Sequence, residues 1–335
     1  MNSYPQPVRV GVAGATGYAG QELVALLARH PGVRLETAMS SGRESTPRPM
    51  PRLSRVWSGT IEPLAKDRLA SSVDVAFLAV PERAAAELAP PLVDAGVRVI
   101  DLSGAFRIRD AGARARWYPD TQMLPSGAAY GLTEHYKDDV RAASLVANPG
   151  CYPTAALLAL LPLAKAGLLD ADAGVIIDAK SGISGAGRAP SDRTHFSENH
   201  GSVSAYGVFG HRYVAEMEQE LGAAVTFVPH LVPLDRGILE TIYARVQPGA
   251  TTERIADVFA SAYDSEPFVR LTGDALPEIK HVAWTNFCDI GWRLESGTRR
   301  LVVVTCLDNL VKGAAGQALQ NFNVACGFDE RTALL

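Results

Sequence analysis

A glycine-rich turn close to the N-terminus is the feature that most restricts the fold. VRVGVAG, residues 8–14, is typical of a buried strand, and residues 21–30 carry leucines at the spacing of one helix face. Between these two patterns, glycines recur every third residue from Gly11 to Gly20. Such glycines let the backbone approach a pyrophosphate, and the N-terminus of the following helix attracts its negative charge. This arrangement predicts a dinucleotide-binding βαβ unit.

The alternation of strand and helix patterns continues through the first hundred residues. Strand patterns occupy 33–40, 73–80 and 97–103, and a helix pattern occupies 82–96. Residues 41–60 are rich in Ser, Pro and Arg and are predicted to form a loop. Alternation of this kind predicts an α/β fold with a parallel sheet of the Rossmann type.

From Ala173 onward the pattern changes to strands with fewer helices. Within one strand, Ile242 and Val246 alternate with Tyr243 and Arg245, as in a half-buried antiparallel strand. We therefore predict a Rossmann-type domain of residues 1–150 together with 309–335, whose final helix packs back on it, and an α+β domain of residues 151–308. The strand patterns of this second domain are 175–180, 225–231, 238–246 and 301–307.

Composition and charge exclude several classes of protein. Of 335 residues 47% are hydrophobic, which supports a core, and the net charge of −4 argues against a nucleic-acid partner. The longest apolar run, 155–164, is far shorter than the roughly 18 residues of a membrane span. The N-terminus lacks the features of a signal peptide, and four widely spaced cysteines argue against a metal cluster or a disulfide framework. We expect a cytoplasmic protein with reduced thiols, no metal and no membrane partner.

The end of the second strand predicts which dinucleotide is bound. An NAD-preferring fold places an acidic residue there to hold the ribose hydroxyls. This chain has Ser40 and Ser41 at the tip, followed by Arg43, and no carboxylate at the tip itself. Hydroxyls and a guanidinium suit a 2′-phosphate, so NADP(H) is the predicted cofactor.

Cys151 stands at the beginning of the most apolar helix pattern, directly after Asn-Pro-Gly. A thiol at a helix N-terminus is activated toward the thiolate by the helix dipole and by backbone N–H groups. The same N–H groups stabilise an oxyanion beside the sulfur. We therefore predict that Cys151 is a nucleophile. The remaining cysteines lie in apolar patterns and are predicted to be inert core residues: Cys288, Cys306 and Cys326.

A nucleophilic cysteine needs a group that handles protons, and seven histidines compete for that role. His211 precedes a helix pattern and is favoured, because function concentrates at element boundaries. His195 and His200 flank a polar loop and remain alternatives. The others are predicted to lie in the core (His230) or at surface or cap positions (His30, His135 and His281).

A second glycine-rich loop, residues 180–188, follows the strand pattern 175–180. Its backbone amides, two hydroxyls and an arginine predict an anion-binding nest, with a flexible connector as the alternative.

With these motifs the chain resembles the N-acetyl-γ-glutamyl-phosphate reductases, the arginine-pathway members of the aspartate-semialdehyde dehydrogenase group. The resemblance extends from residue 10 to beyond residue 320, and ANPGCYPT is its most specific part. Two positions depart from the family pattern: Pro81-Glu82-Arg83 stands for Pro-His-Gly, and Tyr213 stands for a histidine. The matching stretches are GATGYAG (14–20), VIDLSGAFR (99–107), ANPGCYPTAALLALLPL (147–163), SGISGAGR (181–188), GHR (210–212), FVPHLVPLDRGIL (227–239) and DNLVKGAAGQALQN (308–321).

The resemblance implies an NADP-binding domain and a catalytic and dimerisation domain of the aspartate-semialdehyde and glyceraldehyde-phosphate dehydrogenase type. It implies Cys151 as the nucleophile, His211 as the acid and base, and a homo-oligomer, either a dimer or a tetramer. The implied cofactor-binding residues are Gly14, Ala15, Thr16, Gly17, Tyr18, Ala19, Gly20, Ser40, Ser41, Arg43, Pro81, Ser103, Gly185 and Asn309. The implied substrate-binding residues are Arg107, Asn148, Ser181, Gly182, Arg188 and Arg212.

The implied reaction is the NADPH-dependent reduction of N-acetylglutamyl 5-phosphate to the semialdehyde through a thioester on Cys151. Reduction of aminoadipyl phosphate or aspartyl phosphate by the same chemistry is an alternative. Two further alternatives belong to other classes: a cysteine hydrolase with a purely structural Rossmann unit, and a regulator that senses NADP without catalysis.

Overall fold

The computed structural model describes residues 6–40 and 46–335, apart from the side chain of Arg48. The chain divides into two compact units, one running to Pro149 and including Ala314–Leu335, the other comprising Gly150–Gly313. Gly150 and residues 309–313, which were predicted to belong to the first domain, lie in the second unit.

The elements are numbered in chain order. The strands are β1 (Val8–Ala13), β2 (Val33–Ser40), β3 (Arg48–Pro49), β4 (Thr60–Pro63), β5 (Val75–Leu78), β6 (Arg98–Asp101), β7 (Ala128–Tyr130), β8 (Leu145–Ala147), β9 (Val175–Gly182), β10 (Ser204–Ala205), β11 (Val225–Val232), β12 (Ile238–Arg245), β13 (Val269–Leu271), β14 (Cys288–Glu295) and β15 (Arg300–Leu307). The α-helices are α1 (Tyr18–Leu27), α2 (Lys66–Ser72), α3 (Glu82–Asp94), α4 (Ala111–Trp117), α5 (Thr133–Ala142), α6 (Cys151–Lys165), α7 (Phe196–Asn199), α8 (Tyr213–Leu221), α9 (Thr252–Tyr263) and α10 (Gly316–Cys326). A π-helix, Val311–Ala315, directly precedes α10.

The first unit is built on a sheet with the strand order β3-β4-β2-β1-β5-β6-β8-β7. Neighbouring strands are parallel except at the edge, where the two-residue β3 runs antiparallel to β4. The order reverses between β1 and β5, because β2 lies on one side of β1 and β5 on the other. Ligands of such sheets bind at this switch point, beyond the carboxyl ends of the strands. The predicted Rossmann-type sheet is confirmed.

Helices cover both faces of this sheet, and each face has its own core. On one face Leu23 of α1 and Phe322 of α10 are completely buried with Phe77 of β5. On the other face Leu92 of α3 packs in a cluster with Leu78 of β5. Burial on both faces explains why these strands are continuous apolar runs in the sequence.

The prediction for His30 is wrong. Its side chain is 4% exposed, and it lies against the rings of Phe322 and Phe328 at centroid distances of 5.6 and 4.8 Å. Its Nε2 is hydrogen-bonded to Asn323 at 3.0 Å. These neighbours come from the far end of the chain, so the residues around His30 gave no sign of its burial.

The second unit is built on a mixed sheet with the strand order β10-β11-β9-β12-β15-β14-β13. On one face Ile177, Ile242 and Val303 are completely buried. On the opposite face Ile176 and Tyr243 are partners in the register of β9 and β12, and they are 47% and 44% exposed. The predicted α+β organisation is confirmed, although β13, β14 and α9 were not predicted.

Helix α6 begins at the predicted cysteine and continues through Pro162 without a break. Proline has no N–H to donate to the carbonyl four residues earlier, which here belongs to Leu158. The hydroxyl of Tyr263 donates to that carbonyl instead, so the buried oxygen keeps a partner. In the part of the chain that the structure describes, no helix is long and apolar enough to cross a membrane.

Candidate active site

The glycine turn of the first unit connects β1 to α1 at the switch point of the sheet. Gly14 has a φ of +89°, and a Cβ on it would lie 2.1 Å from the carbonyl oxygen of Ala79, which follows β5. A Cβ on Gly20 would lie 2.2 Å from the oxygen of Gly14. The N–H groups of Gly14 and Ala15 both donate to the carbonyl oxygen of Met39, at 2.8 and 2.9 Å. Only glycine fits at these two positions, and the hydrogen bonds fix the turn.

The beginning of α1 suits a pyrophosphate. Gly17 is the N-cap residue, and among the described residues no side chain caps the helix and no acidic side chain lies in its first turn. A Cβ on Gly17 would come no closer than 3.6 Å to another atom, the oxygen of Gly14. No carboxylate of the described first turn therefore neutralises the positive end of the helix dipole, which favours anion binding. The remaining predicted residues of this turn, Ala15, Thr16, Tyr18 and Ala19, form the turn and the first residues of α1.

Two other predicted cofactor residues of the first unit lie at the carboxyl ends of strands. Ser40 is the last residue of β2 and is 1% exposed, whereas the predicted Ser41 and Arg43 lie outside the described residues. Pro81 follows β5 and is the N-cap residue of α3, at the switch point. The residues present fit an NADP(H) site in this unit.

The hydroxyl of Ser103 already has two partners. It donates to Asp101 at 2.7 Å and accepts the N–H of Ala105 at 3.1 Å. Complete burial raises the pKa of Asp101 to about 6, and hydrogen bonds from Ser103 oppose that shift. Ser103 therefore fixes the loop after β6.

Arg107 and Asn148 are buried inside the first unit. Arg107 is 5% exposed, and its guanidinium donates to the carbonyl oxygens of Asn148 at 2.7 Å and Leu102 at 2.9 Å. The side-chain oxygen of Asn148 accepts a hydrogen bond from Nδ2 of Asn321 at 3.0 Å, and its Nδ2 donates to the carbonyl oxygen of Ala314 at 3.3 Å. These contacts hold loops of the first unit together, and a direct contact of either side chain with substrate stays a prediction.

A pocket of about 220 Å³ in the second unit brings the predicted nucleophile and the predicted acid and base together. Cys151 and His211 both line it. Three further predicted residues also line it: Ser181, Gly185 and Arg212.

Backbone contacts on two sides hold Cys151 at the start of α6. The N-cap residue is Gly150, whose N–H donates to Oε1 of the buried Glu216 at 2.8 Å. On another side the π-helix approaches so closely that a Cβ on Gly313 would lie 2.7 Å from Cβ of Cys151. The carboxylate of Asp308 fixes this π-helix by accepting the N–H groups of Leu310 and Val311. π-Helices of this kind are frequent at functional sites.

His211 enters the pocket as a neutral imidazole. Burial, and secondarily the charge of Arg212, lower its pKa to about 4. Its Nδ1 accepts the N–H of Tyr213 at 3.2 Å, which places the single ring proton on Nε2. Aromatic rings surround it, with Tyr213 and Phe227 at centroid distances of 4.7 and 5.3 Å. His211 is therefore arranged to donate a hydrogen bond from Nε2.

Sequence reasoning missed several lining residues. Tyr152, Arg193, Tyr206 and Tyr213 all line the pocket. The guanidinium of Arg193 lies 5.0 Å from the ring centroid of Tyr206, whose hydroxyl is 3.3 Å from that of Tyr152. Tyr152 adjoins Cys151 and Tyr213 directly follows the GHR segment, so position offered a signal for both. No local pattern marked Arg193 or Tyr206.

Other predicted residues of the second unit lie away from the pocket lining. Arg188 is exposed, and the backbone of Asp235 and Arg236 would lie 2.8 Å from a Cβ on Gly182. The side chain of Asn309 accepts the N–H of Gly237 at 2.7 Å and donates to Ser184 at 3.0 Å. Asn309 therefore ties two loops together, and its contact with a cofactor stays a prediction.

The alternative cysteines and histidines do not line the pocket. Cys288 and Cys306 are completely buried, and burial raises the pKa of the Cys306 thiol. Burial also raises the pKa of Cys326 to about 11, so both thiols are poor nucleophiles.

His195 and His200 are exposed. Nδ1 of His230 lies 3.2 Å from both Asp178 and the carbonyl of Ala179. In the described ranges, no group of three or more His, Cys, Asp or Glu side chains is placed to hold a metal ion.

Two family models match the chain. One is described as the semialdehyde dehydrogenase NAD binding domain and matches residues 9–143. The other is described as the semialdehyde dehydrogenase dimerisation domain and matches residues 151–309.

Curated relatives match nearly the whole chain. An N-acetyl-gamma-glutamyl-phosphate reductase of Shouchella clausii is 44% identical over 98% of this chain and 98% of its own length. The same name is carried by a relative from Pelotomaculum thermopropionicum, 45% identical over 98% of this chain and 97% of its own length. A third, from Brevibacillus brevis, is 43% identical over 98% of both chains.

Solved structures share the fold at low sequence identity. Aspartate semialdehyde dehydrogenase II of Vibrio cholerae has a TM-score of 0.73 at 18% identity, over 96% of this chain and 99% of that one. Aspartate semialdehyde dehydrogenase of Candida albicans, solved with NADP, has a TM-score of 0.68 at 15% identity, over 95% of this chain and 98% of that one.

Proposed function

The chain belongs to the semialdehyde dehydrogenase family and, within it, to the N-acetyl-gamma-glutamyl-phosphate reductases, and from that premise we propose that it reduces N-acetylglutamyl 5-phosphate to N-acetylglutamate 5-semialdehyde in arginine biosynthesis. The observation that carries the proposal is one pocket lined by Cys151 and His211 together. Bound NADPH supplies the hydride for this reaction.

The thiolate of Cys151 attacks the acyl carbon, the bond to the phosphate oxygen breaks, and inorganic phosphate leaves. A thioester on Cys151 is the product of this first half. After its reduction, a thiohemiacetal remains on Cys151, and it collapses to the aldehyde as the carbon–sulfur bond breaks. The start of α6 supports this role, because the helix dipole stabilises the thiolate both before attack and after release.

His211 serves the oxygen of the reacting carbonyl. Its Nε2 carries the proton, because Nδ1 accepts the N–H of Tyr213. Nε2 donates a hydrogen bond to that oxygen as negative charge develops on it and keeps its proton, so the oxyanion of the thiohemiacetal collapses to the aldehyde and expels the Cys151 thiolate.

The charge of the pocket fits an acidic, acetylated substrate. Among its described lining residues are two arginines, Arg193 and Arg212, and no carboxylate. Arginine suits the phosphate and α-carboxylate of the substrate. An unacetylated ammonium would be desolvated with no anion to pair with, which disfavours aspartyl phosphate.

Two features argue against the alternatives from other classes. A hydrolase would not need the fixed glycine turn at Gly14 and Gly20, and a sensor would not need a cysteine and a histidine in one pocket. The curated relatives are named for the N-acetylglutamyl substrate, which disfavours the aminoadipyl alternative.

We also propose a homo-oligomer, in which the sheet face carrying Ile176 and Tyr243 is covered by another copy. The match to a dimerisation domain and the exposure of this apolar pair support it. A cytoplasmic location is proposed as well, because none of the four cysteines forms a disulfide in the described residues.

The test of the activity runs the reaction in reverse, with aldehyde, phosphate and NADP+ giving NADPH. N-acetylglutamate semialdehyde is expected to be the best substrate, with aspartate semialdehyde at least about tenfold lower in kcat/KM. The aldehyde one methylene longer should lose about 1–3 kcal/mol of transition-state binding. Faster turnover of either competitor would overturn the substrate assignment.

A further inference from the structure

The residue directly before the nucleophile is held by the helix that follows the catalytic histidine. The N–H of Gly150 donates to Oε1 of Glu216 at 2.8 Å, and Glu216 is completely buried. Glu216 lies in the first turn of α8, which begins two residues after His211. One short segment therefore carries both His211 and the acceptor for the backbone of the Cys151 loop.

A second contact from α8 fixes the same glycine. A Cβ on Gly150 would lie 2.8 Å from Cζ of Tyr213 and 3.0 Å from Cδ of Pro153. The glycine is thus enclosed between a ring of α8 and the first turn of α6. Tyr213 and Pro153 therefore leave no space for a side chain at this position, and the hydrogen bond to Glu216 holds the backbone N–H.

We propose that Glu216 is a positioning residue, which sets the place of Cys151 relative to His211 by accepting the N–H of Gly150. The inference rests on the proposed function, because it assigns Glu216 to the same catalytic pair. Without the acceptor, a buried N–H is left without its partner, so the backbone at Gly150 shifts to find another. A misplacement of the order of 1 Å costs about 100-fold in rate, because attack requires close alignment.

Two roles of Glu216 are separable by chemistry. A carboxylate near a thiol acts through its charge, whereas positioning needs only an oxygen acceptor at the right place. Glu216→Gln keeps the acceptor and removes the charge. Glu216→Leu removes both, and Glu216→Asp keeps the charge but withdraws the acceptor by one methylene.

The chain offers a matched control on the same helix. Oε1 of Glu218 also accepts a backbone N–H, that of Val225 at 3.1 Å, and neither residue lines the pocket. Glu218→Leu therefore removes a hydrogen bond of the same kind, from a half-buried carboxylate that lies outside the pocket lining.

The experiment measures the rate of alkylation of Cys151 by iodoacetamide against pH, located by peptide mass spectrometry, beside kcat, KM and thermal unfolding. The alkylation needs neither substrate nor cofactor, so it reports on positioning even if the proposed substrate is wrong. We expect Glu216→Gln to keep the wild-type pH profile and kcat. Glu216→Leu and Glu216→Asp should displace the alkylation profile and lower kcat about 10- to 100-fold, with KM for NADP+ unchanged. Glu218→Leu should lose stability but keep the profile.

Three results would overturn the proposal. If Glu216→Gln and Glu216→Leu changed the alkylation profile and kcat equally, Glu216 would act through its negative charge and not as a hydrogen-bond acceptor. Loss of stability with an unchanged alkylation profile in Glu216→Leu would make Glu216 merely structural. If Glu216→Leu does not fold, the comparison of Asp with Gln decides, and a wild-type profile in Glu216→Asp would refute positioning.

Discussion

Replacing Gly313 with alanine should misplace the nucleophile. The new Cβ would lie 2.7 Å from Cβ of Cys151, whereas ordinary contact begins at 3.4 Å, so the two backbones must separate by about 0.7 Å. The π-helix cannot easily give way, because the Asp308 carboxylate accepts the N–H groups of Leu310 and Val311 at its start. The N–H of Gly313 also donates to the carbonyl oxygen of Asp308 at 2.8 Å. A shift of that size in a reacting atom predicts a fall in kcat of about 10- to 100-fold.

The assay follows NADPH production from aldehyde, phosphate and NADP+, with alkylation of Cys151 in parallel. The control is Gly297→Ala, because a Cβ on Gly297 would meet no atom within 4 Å. This control should keep wild-type kinetics, while Gly313→Ala keeps its affinity for NADP+ and loses turnover. If a folded Gly313→Ala protein kept wild-type kcat and alkylation rate, the close approach of the π-helix would not define the position of Cys151.

Three further predictions test the cofactor site and the histidine. Arg43→Ala should weaken NADPH binding about 10- to 150-fold and leave NADH binding unchanged, as measured by equilibrium titration; equal weakening would refute its contact with the 2′-phosphate. Gly14→Ala should lower the free energy of unfolding in urea by about 1–3 kcal/mol more than Gly96→Ala does. Both glycines have a positive φ, but only the new Cβ at position 14 would collide with another atom. His211→Asn should lower kcat about 10²- to 10⁴-fold. Since burial lowers the pKa of His211 to about 4, the unfolded state binds the extra proton first as pH falls. Between about pH 6.5 and 4 the wild type should therefore lose stability relative to the Asn variant. A kcat profile with an acid limb near pH 6.5 that disappears in His211→Asn would contradict a neutral His211.

Local signals in the sequence predicted the parts of the fold and site that depend on neighbouring residues. The glycine turn at Gly14 and Gly20 and the alternation around it specify the Rossmann-type sheet, since the central strands β1 and β5 are buried on both faces. The position of Cys151 at a helix start was predictable because Gly150 and Pro153 mark the first turn of a helix whose apolar residues are nearly all buried.

Long-range contacts account for what the sequence did not reveal. Arg193 and Tyr206 reach the pocket from a polar loop without periodic pattern, and Glu216 has the same local surroundings as any helical glutamate. His30 was misjudged because its aromatic neighbours lie almost three hundred residues away. Strand β14 was missed because its first half is buried on both faces and only its second half alternates.

The central claim is that Cys151 carries the acyl group, and omission of phosphate tests it most directly. With N-acetylglutamate semialdehyde and NADP+ alone, the first half of the reverse reaction should release one NADPH per chain and leave the thioester on the enzyme. Mass spectrometry should then find one N-acetylglutamyl group on the peptide containing Cys151, and added phosphate should remove it. Cys151→Ser should show neither the burst nor the adduct. A burst with no adduct on Cys151, or near-normal turnover by Cys151→Ser, would contradict the thioester mechanism.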